Sequence, residues 1–157
     1  MGEDLLTKVV VRAPGAQPKG PYSAGIVCQG RMLFVAGQGP VDPLTQRVMA
    51  GSFEEQATTA FDNLASIVEA AGASLAMAVK VQVFLADLAD FELLNRVYER
   101  YFPVPRPVRT TVQAGLPFGY ALEIDAVVAL DPIRQETDRG TGIHDLQPRS
   151  QTLAERG

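Results

Sequence analysis

Residues 79–113 read VKVQVFLADLADFELLNRVYERYFPVPRPVRTTVQ, and this stretch decides the class of fold. Val79, Val81, Val83 and Leu85 alternate with Lys80, Gln82 and Phe84, the period of a strand with one buried face. From about Asp90 to Phe102 the apolar period changes to that of a helix, which Pro103, Pro105 and Pro107 then stop. Val108–Gln113 is β-branched and reads as strand again.

Working outward, Ser52 and Glu55 form an S-x-x-E capping box. Ala57, Phe61, Leu64, Val68 and Ala71 follow on one helical face, and Gly72 suits the position just past the helix end. Upstream, residues 7–12, Ala24–Gln29 and Met32–Ala36 are short strand-like runs. The last two are separated by Gly30-Arg31, which reads as a tight hairpin turn. Downstream, Tyr120–Leu130 is a long strand. The order βββαβαββ is an α+β mixture whose two amphipathic helices need a sheet to cover. Residues 1–131 are expected to form one domain. Beyond them, residues 132–157 are polar and without period, a tail expected to be flexible or docked on a partner subunit.

Composition narrows the chemistry. The 157 residues are 46% hydrophobic and 20% charged with a formal net charge of −4, an ordinary globular balance without the basic excess of a general nucleic-acid binder. One cysteine (Cys28) and one histidine (His144) cannot build a zinc site within one chain, nor an intrachain disulfide. No stretch reaches the roughly 18 apolar residues of a membrane span, and the N-terminus does not read as a signal peptide. A cytoplasmic protein is expected. Cys28, in an apolar run, reads as a buried inert thiol. The GQGP turn at residues 37–40 has two glycines and then a proline, a weak phosphate-loop candidate.

The candidate site residues are polar groups in unexpected places. Asn95 shares a helix face with Phe91, Tyr98 and Phe102, where a buried amide must find partners or bond a neighbouring loop. In VRTTVQ, Arg109, Thr111 and Gln113 project from one face. Arg109 either clamps a carboxylate through two parallel hydrogen bonds or is a solvated strand arginine. Glu123 and Asp125 share a face of the last strand, as an acid/base pair or as two solvated acids. Tyr22, in the G-P-Y-S turn, either meets a ligand or packs at a loop. Together they suggest a small-anion site with Arg109 as anchor, Glu123 as base or water-holder, and Tyr22 and Asn95 as lining.

GPYSAGIVCQGRMLFVAGQGPVDP, NLASIVEAAGASL, VKVQVFLADLADFELLNRVYERYF, PVRTTVQAGLP and LEIDAVVAL occur in the order and spacing of the RidA/YjgF family. The chain resembles it over about residues 7–131. That resemblance implies a chorismate-mutase-like fold, a mixed six-stranded sheet with two helices on one face. It also implies a homotrimer with a central barrel and three intersubunit clefts. The implied activity is hydrolysis of 2-iminobutanoate and 2-iminopropanoate to 2-oxo acids and ammonia, without cofactor or metal. Arg109 would pair with the substrate carboxylate, Glu123 hold the attacking water, and Tyr22 and Asn95 belong to the cleft. Gly37, Ala36 and the backbone of Thr111 would line the pocket. Many members carry Ser where this chain has Ala36, and Cys where it has Thr111. The other readings within the family are a small-carboxylate binder without turnover and a ribonuclease or translation inhibitor. The acidic balance argues against the ribonuclease reading. A chaperone-like protein has no support in the sequence.

Overall fold

A computed structural model of the chain describes residues 8–130, and the expected 132–157 tail and His144 lie outside the described residues. Six strands and two α-helices follow one another in the expected order. They are β1 (Lys8–Val11), β2 (Gly25–Cys28), β3 (Met32–Gln38), α1 (Phe53–Ala70), β4 (Ala78–Leu85), α2 (Phe91–Tyr101), β5 (Val108–Gln113) and β6 (Leu122–Ala129). Short 3₁₀ turns precede β4, α2 and β6.

The strands divide into a four-stranded sheet of order β3-β6-β4-β5 and a separate β1-β2 ribbon. β4 and β5 are parallel, and the other neighbours are antiparallel. The chain does turn at Gly30, whose φ of 99° suits glycine, but β2 and β3 are not ladder partners. Arg31 O accepts from Leu130 N–H at 2.8 Å, which draws the chain into the β6 ladder straight after the turn and away from β2.

The helix ends are as the sequence specifies. Ser52 caps α1 with the full reciprocal box. At the other end Gly72 (φ 77°) donates to Glu69 O and Ala73 to Val68 O, the paired bonds of a Schellman motif. Ala71, expected on the buried face, is instead the exposed C-cap. Ala57, Phe61, Leu64 and Val68 are fully buried against Val81, Val83, Leu122, Ile124 and Val128. Both helices therefore cover one face of the sheet.

Among the described residues, no helix covers the opposite face. It carries Phe34 (75% exposed) in register with Val127, and Val112 (43% exposed) in register with Phe84. Cys28 is half-buried rather than enclosed.

Candidate active site

Arg109 leaves β5 on the helix-covered face. Its register partner in the parallel ladder is Val81, a fully buried core residue, and neighbours in register share a face. The guanidinium then runs under α2, where Nη2 donates to Asn95 Oδ1 at 2.8 Å. Its carbon sits 4.7 Å from the Tyr98 ring centre, 5.1 Å from that of Tyr22 and 5.4 Å from that of Phe91. Three ring faces at these distances attract the cation while excluding water. Phe91, Asn95 and Tyr98 meet it together because four- and three-residue steps fall on one side of a helix.

Tyr22 reaches the cluster through its own turn. Ser23 N–H donates to Pro107 O at 3.0 Å, and the Ser23 hydroxyl donates to Arg106 O, so the turn is clipped to the chain just before β5. A Cβ on Gly20 would lie 2.8 Å from the Tyr22 ring, so only glycine leaves that ring its seat.

Burial lowers the Arg109 pKa, and the Tyr98 and Tyr22 rings oppose the shift. The guanidinium nonetheless stays cationic at neutral pH. No Asp or Glu pairs with it among the described residues. Arg109 Nη1, the Thr111 hydroxyl and the Tyr98 hydroxyl are all buried without a hydrogen-bond partner. The Thr111 N–H has no backbone partner among the described residues and faces away from β4. Ala114 N–H donates to Leu85 O on β4, and backbone groups alternate sides along a strand. Residues an odd number away from Ala114, Thr111 among them, therefore turn toward the open edge of the sheet. Pro107 O, on the same parity, does so and meets Ser23 there.

Glu123 is not in this cluster. It alternates with buried Leu122 and Ile124 and pairs in register with Phe84, so it leaves the uncovered face. β6 and β5 are two strands apart, about 10 Å between axes. The four-residue site expected from sequence is thus split in a single chain. Tyr22, Asn95, Arg109 and Thr111 form one half, and Glu123, Gly37 and Ala36 the other.

The second half is built on a bulge. Between the pairs Val35–Ala126 and Gln38–Ile124 one extra residue is inserted in β3, placing exposed Ala36 and Gly37 opposite Asp125. The Gln38 amide folds back to donate to Ala36 O and Gly37 O at 3.1 and 3.3 Å. A Cβ at Gly37 would lie 2.0 Å from Glu123 Oε1, and one at Gly39 would lie 2.3 Å from the Tyr120 ring. The glycines of G-Q-G are therefore seats for two side chains of the 120–123 segment, not a phosphate cradle. A cavity of about 350 Å³ opens beside them, walled by Gln38, Val41, Asn63 and Tyr120. Asn63 donates to Gly39 O and Val41 O, which ties this loop to α1.

Tyr98, Phe91 and Tyr120 were not singled out as site residues by sequence reasoning. Tyr98 had a signal, since it stands three residues beyond Asn95 on the same helix face. Tyr120 had none, because its position depends on Gly39 from a distant loop.

The sequence pattern of the family described as Endoribonuclease L-PSP matches residues 12–130. A RutC family protein of Pyrococcus abyssi is 40% identical over 124 residues, covering 78% of this chain and 97% of that protein. The human 2-iminobutanoate/2-iminopropanoate deaminase is 36% identical over 132 residues, covering 82% of this chain and 94% of that protein. The crystal structure of E. coli TdcF with bound serine superposes with a TM-score of 0.60 at 35% identity, covering 78% of this chain and 98% of that chain.

Proposed function

Because the chain belongs to the RidA/YjgF family, the Endoribonuclease L-PSP family of the matched pattern, we propose that it hydrolyses small reactive 2-imino acids to 2-oxo acids and ammonia. The observation that carries this reading is Arg109: a desolvated cation, oriented by Asn95 and three rings, with Nη1 unpaired. Such a group is built for a carboxylate, which can take two parallel bonds from one guanidinium edge. The human relative's name and the serine found with TdcF agree with a carboxylate-bearing ligand.

The proposed site lies between two subunits. Arg109 and Glu123 leave opposite faces of one sheet, so one substrate meets both only when a second copy supplies the Glu123 half. The uncovered face with Phe34, Phe84, Val112 and Val127 is the surface such copies would bury, in a homotrimer packed around a central barrel.

In the reaction, Arg109 and the Thr111 N–H hold the carboxylate, and C2 of the protonated imine lies beside a water held by Glu123. The water oxygen bonds to C2 as Glu123 takes its proton, giving a carbinolamine. Glu123 returns that proton to nitrogen and the C–N bond breaks. Glu123 takes the hydroxyl proton as the carbonyl forms and passes it to the released ammonia, so iminium plus water yields 2-oxo acid plus ammonium. Positioning supplies much of the rate, since the iminium carbon is already electrophilic.

The test is loss of 2-iminobutanoate made in place by a threonine dehydratase, read as competition with semicarbazide. Wild type should accelerate hydrolysis. Arg109→Ala should lower kcat/KM about 10²-fold, equivalent to about 2.7 kcal/mol of transition-state binding. No acceleration by assembled wild type overturns the deaminase reading and leaves carboxylate binding without turnover.

A further inference from the structure

Three buried polar atoms without partners belong to Arg109 and two residues beside it. They are its own Nη1, the Thr111 hydroxyl and the Tyr98 hydroxyl. Buried polar groups are nearly always paired, because an unpaired one forfeits its hydration with nothing in return. One orphan is an oddity, but three on Arg109 and its neighbours point to a shared ligand. Arg109 and Thr111 project from the same face of β5, two residues apart. The Tyr98 ring lies 4.7 Å from the guanidinium carbon, and Tyr98 is fully buried.

All three atoms can donate, and the guanidinium can only donate. The partner that satisfies them is therefore an acceptor with several lone pairs and a negative charge. A carboxylate has two oxygens and about four acceptor positions. The Thr111 N–H, turned toward the open edge of the sheet, brings the donors to four.

We propose that the Tyr98 and Thr111 hydroxyls are further ligand-binding donors that enclose the substrate carboxylate together with Arg109 Nη1 and the Thr111 N–H. This rests on Arg109 being the carboxylate anchor. Burial holds the Tyr98 phenol well above its ordinary pKa, and the nearby Arg109 and Arg106 charges only partly oppose this. It is thus a neutral donor throughout the working pH range. Thr111 differs from a serine at this place by a methyl group and from a valine by its hydroxyl, so the two replacements separate shape from hydrogen bonding.

The experiment is calorimetric titration of assembled protein with 2-oxobutanoate, a stable carboxylate of the product class, and with its neutral amide. Tyr98→Phe and Thr111→Val should each weaken 2-oxobutanoate about 5- to 20-fold while leaving the amide's affinity within twofold. Thr111→Ser should bind the acid like wild type. Melting temperatures of Tyr98→Phe and Thr111→Val should match or exceed wild type, since each removes an unpaired buried hydroxyl. Unchanged acid affinity in both hydroxyl-deleting variants overturns the proposal, and so does equal weakening of acid and amide. Wild type that binds neither compound overturns it too. Imine hydrolysis is measured alongside. Turnover without a hydroxyl effect on acid binding removes this inference alone. Acid binding with the hydroxyl effect but no turnover removes the deaminase reading alone.

Discussion

Asn95 Oδ1, halfway along α2, accepts a 2.8 Å hydrogen bond from Nη2 of Arg109, the second residue of β5. The bond crosses from helix to sheet and sets the direction of the cation. With Nη2 occupied by a neutral amide, Nη1 is left for a ligand.

That arrangement distinguishes two substitutions. Asn95→Ala should raise KM about 10-fold, because a hydrogen bond to a charged group that orients the anchor is lost. Asn95→Asp should raise KM further and also raise the melting temperature, since a carboxylate built into the protein would pair with Arg109 and compete with substrate. Steady-state kinetics and thermal melts on the two variants check both outcomes. A wild-type KM in Asn95→Asp would show that the cation does not meet the ligand.

Gly37 tests the other half. A methyl group there would lie 2.0 Å from Glu123 Oε1, so Gly37→Ala must displace the carboxylate. We expect kcat to fall at least about 10-fold with KM nearly unchanged, because the carboxylate-binding half is untouched. Glu123→Gln should give the same split. A KM effect with normal kcat in either variant would remove Glu123 from the water-holding role.

The assembly prediction turns on Phe34, 75% exposed on the uncovered face. Wild type should sediment at three times the 16.9 kDa chain mass. Phe34→Asp should sediment as a single chain, keep its far-ultraviolet circular dichroism and lose activity, because charge on a buried contact opposes association. An active wild-type monomer would rule out a site shared between subunits.

The α1 cap carries a pH signature. Glu55 Oε2 accepts from the Ser52 N–H and hydroxyl, both at 2.8 Å, and these bonds hold its carboxyl below the ordinary value of 4.5. A carboxyl depressed in the folded state contributes stability that is present above its unfolded pKa and is lost as pH falls through the folded one. Glu55→Gln should therefore flatten the fall of melting temperature on acidification between about pH 5 and pH 3. An unchanged slope would mean the box does not persist in solution.

Most of the elements were legible in sequence, for local reasons. The capping box, Gly72 and the proline run mark the helix ends, and the alternating residues of β4 and β6 mark strands with one buried face. The face of α2 that joins Phe91, Asn95 and Tyr98 was legible too, because 3.6 residues per turn leave no freedom. The β1–β2 ribbon and the extra residue in β3 were not. Each depends on which edge a strand finds once the chain has collapsed.

The site shows the same division. Alternation alone determined that Arg109 and Thr111 share a face of β5, and that Glu123 and Asp125 share a face of β6. Whether those faces coincide was decided only by the tertiary pairings. Arg109 lies beside Val81, but Glu123 lies beside Phe84, an odd number of residues further along β4. Side chains alternate faces with a period of two, so a shift of one residue in either register would have put both groups on the same side. That parity belongs to the packed sheet and is invisible in either strand by itself.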